Sequence, residues 1–156
     1  MNTHTKCFDR RQILKAAGGL GIIAFGASMS PMAFAAWNKA AFEAKTMSDA
    51  YSALGAGSPS NSSDIQIVAS DIAENGAVVP VQAVSKLANT EQISILVEKN
   101  PSALVALFNL TPDTLPEVTT RIKMGQTSNV TVLVKAGGKY YTSTKEIKVT
   151  LGGCGG

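Results

Sequence analysis

The chain is poor in the residues that carry nucleophilic and metal chemistry. Its 156 residues hold one histidine, His4, and two cysteines, Cys7 and Cys154. His4 and Cys7 both fall in the first 35 residues, which read as an export signal that is removed. What remains has no histidine and a single cysteine. A Ser-His-Asp or Cys-His apparatus is excluded within it, and so is a one-chain Cys/His zinc site. No intramolecular disulfide can form. An odd cysteine in an exported protein points to a bond with another molecule or to a free reactive thiol. Internal repeats and extended low-complexity segments are absent as well.

The leader is read from its three parts. Lys6, Arg10, Arg11 and Lys15 make a basic start, Ala16 to Met29 is apolar and uncharged, and Ala33-Phe34-Ala35 is an A-x-A site that predicts cleavage before Ala36. The run Asp9-Arg10-Arg11-Gln12-Ile13-Leu14-Lys15 resembles a twin-arginine signal. The apolar stretch is shorter than the ~20 residues of a membrane-spanning helix. The full chain has net charge +3, and the leader accounts for all of it with four basic residues and one acidic. The basic balance is therefore no argument for a nucleic-acid partner. The twin-arginine route moves folded proteins, so folding in the cytoplasm is expected first.

Residues 36–151 are long enough for one domain with its own core. Ala40, Ala44, Met47, Tyr51 and Leu54 recur at helical spacing, which predicts a helix from Ala36 to about Leu54, closed by Gly55 and Pro59. From Asp64 the pattern changes to period two. Strands are predicted over Ile65–Ile72, Ala77–Val84, Gln92–Lys99, Ala103–Leu110, Glu117–Met124, Val130–Lys135 and Tyr140–Leu151. Asn75-Gly76 reads as a turn with positive φ, Gly137-Gly138 as a hairpin turn, and Pro80 as an edge position or bulge. Seven short strands with turns every 8–12 residues fit an all-β, immunoglobulin-like antiparallel sandwich with an N-terminal helix outside it. An open barrel is the structural alternative.

The last strand runs into Gly152-Gly153-Cys154-Gly155-Gly156, expected to be a flexible arm because glycine reaches backbone angles closed to other residues. Cys154 is the candidate for covalent attachment of a substrate, and Gly152, Gly153, Gly155 and Gly156 are the candidate joints. A linking cysteine would not need that freedom. Lys145 and Lys148 precede Cys154, but the terminal carboxylate is closer and opposes thiolate formation, so a thiol near about 8.5 is expected. Arg121 and Lys123 alternate on a strand and face one way, as a solvated sheet face or a surface for an anion or partner. Asp71, Glu74 and Glu91 are scattered carboxylates with no motif to make them an acid–base pair. Trp37 and Tyr51 read as core or interface, and Met47 and Met124 as core filling. The rival to a carrier is a structural or adhesion sandwich that dimerises through Cys154.

Several stretches together resemble the SoxY family, the carrier subunit of thiosulfate oxidation. They are Val149-Thr150-Leu151-Gly152-Gly153-Cys154-Gly155-Gly156, the segments Ile72 to Val81, Ile95 to Pro101 and Thr120 to Gly125, and the twin-arginine leader. The chain departs from the family pattern at Ser70-Asp71, where Pro-Glu is expected. The resemblance implies a periplasmic, non-catalytic carrier of sulfur intermediates without a cofactor of its own. It implies a heterodimer with a second sandwich subunit, SoxZ. It also implies loading of Cys154 with thiosulfate by the haem enzyme SoxAX, release of sulfate by the hydrolase SoxB and, where present, further oxidation by SoxCD.

Overall fold

The computed structural model describes residues 38–150. Among the described residues two short helices come first, α1 (Lys39–Glu43) and α2 (Met47–Leu54). The predicted single helix breaks between them. Ala44 takes extended angles, its carbonyl accepts the Ala103 N–H at 2.9 Å, and the Thr46 hydroxyl starts a new helix by accepting from Asp49 N at 3.1 Å. A bond to the sheet and a strong N-cap thus replace one continuous helical ladder. Gly55 ends α2 with φ +72°, as its type and position predict.

Nine strands follow: β1 (Ser60–Asn61), β2 (Ile65–Val68), β3 (Ile72–Ala73), β4 (Val79–Ser85), β5 (Thr90–Val97), β6 (Leu104–Asn109), β7 (Glu117–Ile122), β8 (Ser128–Ala136) and β9 (Lys139–Val149). One sheet has the order β1-β9-β8-β5-β6, with β3 also on β9, and the other has the order β2-β4-β7. The expected sandwich is present. Two features depart from the expectation of a purely antiparallel fold with seven strands. The predicted loop at Ser60-Asn61 lies parallel to Tyr141-Thr142, and the predicted strand 65–72 divides in two. Its first part stays in the small sheet as β2, while Ile72-Ala73 crosses to lie parallel to Lys148-Val149. The exposed edge of β9 is covered this way, which blunts a row of otherwise unpaired backbone groups.

Period-two burial explains the sandwich core. Val79, Val81 and Ala83 of β4 and Val118 and Ile122 of β7 face Ile93, Ile95, Val97, Val130, Val132, Val134 and Ile147 of the large sheet. The opposite face of that sheet presents Leu96, Leu104 and Leu133 to Ala41, Ala44 and Ala50 of the helices. The inner strands β5 and β8 are therefore buried on both faces, and their sequences read as near-continuous apolar runs. Met124 is buried, as predicted, and Met47 and Tyr51 are half-buried against the helical layer. Burial raises the Tyr51 phenol above its ordinary value. Pro80 sits in the middle strand of the small sheet, opposite Arg121. It is tolerated because β2 stops at Val68, opposite Gln82, so that side of Pro80 faces no ladder partner.

Candidate functional site

Cys154 and Gly152, Gly153, Gly155 and Gly156 lie outside the described residues, as do Trp37 and the first 35 residues, where a leader is expected. The structure describes the mount from which that tail leaves, the final residues of β9.

The β8–β9 ladder ends at Ser128 opposite Ile147. The next three residues are nevertheless held, from alternating sides. On one side, Lys148 N donates to Asp71 O at 2.9 Å and Thr150 N donates to Ala73 O at 3.1 Å. On the other, β8 has run out, and a side chain stands where a strand would be. Val149 N donates to the Thr127 hydroxyl at 3.0 Å, and that hydroxyl in turn lies 3.5 Å from the Val149 carbonyl oxygen. The chain is thus fixed up to Thr150.

Gly76 closes the same end. A Cβ there would overlap the carbonyl oxygen of Met124 and come within 2.8 Å of Val149 Cγ1. The Gly76 carbonyl accepts the Met124 N–H at 2.7 Å. The predicted positive φ at Asn75-Gly76 is not observed, since neither residue is among those with positive φ. Glycine is required at 76 by close approach instead. Asn75 serves the turn through its side chain, whose Oδ1 accepts from Ala77 N at 2.9 Å.

The charged candidates separate. Lys145 Nζ meets Asp71 Oδ1 at 2.8 Å and the Ala69 carbonyl at 2.6 Å, so this cation is engaged at the mount. The Asp71 carboxyl is held below its ordinary range first by the hydrogen bond from Lys145, then by that cation's charge and that of Lys148. Glu91 lies at the Gly137-Gly138 hairpin, 3.0 Å from Lys135 and accepting from Gly138 N at 3.0 Å, and both contacts lower its carboxyl. Asp71 and Glu91 thus belong to opposite ends of β9 and form no acid–base pair, and Glu74 is exposed. Arg121 on β7 and Lys123 just past its end are both exposed, as their alternation predicts, and line an open groove of about 410 Å³ with Leu104, Val105 and Ala106 of β6. Among the described residues, no group of three or more His, Cys, Asp or Glu side chains could hold a metal ion, and no helix is long and apolar enough to cross a membrane.

Sequence reasoning singled out Cys154 as a candidate but did not find the strand end that precedes it. Thr127 fell between two predicted strands, and β3 read as the end of a longer one. Their roles depend on where β8 stops and where the chain changes sheets.

Fold and mount define a β-sandwich domain that holds the root of a glycine-cysteine tail at the end of its last strand. The chain belongs to the SoxY family: the family described as sulfur oxidation protein SoxY matches residues 50–154. Among solved structures, the sulfur carrier protein SoxY from Chlorobium limicola f thiosulfatophilum is 43% identical, with a TM-score of 0.58 over 66% of this chain and 96% of that one. A superoxide reductase (neelaredoxin) variant from Ignicoccus hospitalis aligns with a TM-score of 0.50 at 16% identity, over 64% of this chain and 87% of that one, and shares the fold alone. No curated protein matches the chain.

Proposed function

We propose that this protein carries thiosulfate-derived sulfur on Cys154 and presents it to partner enzymes during sulfur oxidation in the periplasm. The observation that carries this reading is the extent of the family match, which runs from Ala50 through the sandwich and ends on Cys154. A family of sulfur-oxidation carriers, a single cysteine outside the leader and glycines on both sides of it converge on one residue.

The chemistry balances as follows. The Cys154 thiolate and thiosulfate join through a new S–S bond, giving Cys–S–S–SO3⁻ and releasing two electrons to a haem-containing partner. Water then cleaves the terminal S–S bond, giving a Cys154 persulfide, sulfate and two protons. The carrier supplies the anchoring sulfur in both steps, and the partners supply oxidant and hydrolytic site. A thiol without a strongly lowered pKa suits this role, since a better leaving group loses its cargo to exchange more readily. Tethering replaces diffusion by a high effective concentration at each partner. The twin-arginine leader supports export after folding, together with a second sandwich subunit of the SoxZ type.

Intact mass of the periplasmic protein, with and without reductant, tests the reading. The expected result is a reductant-sensitive gain of one S2O3 unit or of sulfane sulfur. Cys154→Ser removes that gain and leaves the thermal transition in place. A Cys154–Cys154 dimer as the sole form, with no sulfur adduct, would instead establish the structural alternative.

A further inference from the structure

We propose that Asn75 is a modification site, where the side-chain amide is lost by cyclisation onto the Gly76 nitrogen, and that the folded turn keeps this reaction closed. Asn75-Gly76 is the one Asn-Gly pair in the chain. Glycine has no Cβ to shield its backbone nitrogen, so an asparagine side chain reaches it wherever the chain is free to turn. In the reaction the Gly76 nitrogen gives up its proton and bonds to Asn75 Cγ. The Cγ–Nδ2 bond breaks, and the amide leaves as ammonia, which carries that proton away. Water then opens the cyclic imide. Opening at one carbonyl gives aspartate. Opening at the other gives isoaspartate, in which the main chain runs through Cβ and Cγ. Water is the sole co-reactant, and Asn75 is exposed to it. Neither the sulfur cargo nor Cys154 takes part, so the site stands whether or not the carrier reading does.

Both reacting residues are engaged in the fold. Asn75 Oδ1 accepts the Ala77 N–H at 2.9 Å, and the Asn75 carbonyl accepts the Val78 N–H at 3.3 Å, which fixes the turn. Gly76 is buried, and its carbonyl accepts the Met124 N–H at 2.7 Å. Cyclisation swings the Asn75–Gly76 peptide towards Cγ, so the Asn75 side chain leaves Ala77 and the Gly76 carbonyl leaves Met124. Breaking two hydrogen bonds of ordinary strength slows the reaction about 30-fold. The isoaspartate product does not fit back. It adds one backbone bond, about 1.5 Å, immediately before a residue with no space to spare. Even a Cβ on Gly76 would overlap the Met124 carbonyl oxygen and come within 2.8 Å of Val149 Cγ1. Aspartate keeps the native backbone, and its carboxylate oxygen accepts from Ala77 N as the amide oxygen does. The two products of one reaction therefore differ in effect. Isoaspartate unfastens the junction of Gly76 with Met124, and aspartate leaves it closed.

The test ages the full chain at mildly alkaline pH, folded and in urea that unfolds it, and follows ammonia loss and isoaspartate at position 75 by peptide mapping. Conversion is expected to be about 30-fold slower in the folded protein than in the unfolded chain. The isoaspartate form is then separated, returned to folding conditions and compared with the parent and with Asn75→Asp. Amide exchange at Met124 is expected to be about fivefold faster in the isoaspartate form, the loss of one hydrogen bond, and to match the parent in Asn75→Asp. Val132, fully buried in the core, is unchanged in all three. No conversion in the unfolded chain overturns the site, and equal rates in the folded and unfolded chain overturn its closure by the turn. Unchanged exchange at Met124 in the isoaspartate form, or a rise that Asn75→Asp or Val132 shares, overturns the assignment of the damage to backbone length.

Discussion

The two ends of β9 use glycine for opposite reasons. At its start, Gly137 and Gly138 have φ of +55° and +74°, and a Cβ on either would meet nothing within 4 Å. There glycine supplies a backbone conformation, the one that turns β8 into β9. At its finish, Gly76 has no positive φ but also no room for a Cβ. There glycine supplies space, letting three segments meet at Val149. A fault of conformation can be absorbed in an exposed hairpin. A fault of space at the mount is transmitted to the residue from which the arm leaves.

Gly76→Ala gives the largest effect that separates the ends. The obstacle is chiefly a backbone carbonyl, which cannot rotate away as a side chain can. Overpacking of this kind costs about 1–3 kcal/mol, and for a domain of this size each kcal/mol lowers Tm by about 3–6 °C. Thermal melts give the loss, and amide exchange at Val149 and Thr150 shows whether the mount itself opens. Adding Val149→Ala removes the second obstacle only, so partial recovery is expected. Full recovery would show that the side chain, and not the Met124 carbonyl, sets the limit.

Gly138→Ala is the matching change at the other end. Space is open, so the cost is that of a left-handed backbone on a residue with a Cβ, about 1–2 kcal/mol. The same melts are expected to show a smaller shift than for Gly76→Ala, with exchange at Val149 unaltered. A change at Val149 comparable to that of Gly76→Ala would break the comparison, since it would mean that the two ends are coupled along β9.

The contrast also marks what a sequence conveys. Gly137-Gly138 was legible because its requirement is local: two adjacent residues needing positive φ between two β-patterned runs. Asn75-Gly76 carries the same kind of local signal and misled, because its requirement comes from Met124 and Val149, distant in the chain. The alternating apolar residues marked the sandwich core, whereas the double burial of β5 and β8 emerged only with the helices packed on the outer face of the large sheet. Cys154 stood out because the chain after residue 35 holds no other cysteine. Thr127, Asp71 and β3 carried no such mark. Nothing in Ile65–Ile72 announces that the strand leaves one sheet for the other, and only that crossing brings Ala73 and Asp71 to the arm's root.

The smallest expected effect concerns the ion pair at each end. Lys145–Asp71 stands at the mount and Lys135–Glu91 at the hairpin. Both carboxyls are lowered below their ordinary values, in each case first by the hydrogen bond from the lysine. A carboxyl lowered in the folded state stabilises it fully above the unfolded value, about 4, and loses that contribution as pH falls through the folded value. Asp71→Asn and Glu91→Gln are therefore each expected to melt slightly below the parent at pH 7 and to converge with it as pH is lowered below about 4. Asp71 is 86% exposed on its side chain, so salt should weaken the difference further. The ends still differ in what each pair protects. Asp71 also receives Lys148 N on its backbone carbonyl, so Asp71→Asn should speed amide exchange at Lys148 where Glu91→Gln does not. Equal exchange at Lys148 in the two variants would mean that β3 holds the arm's root through its backbone alone, with the ion pair contributing nothing local.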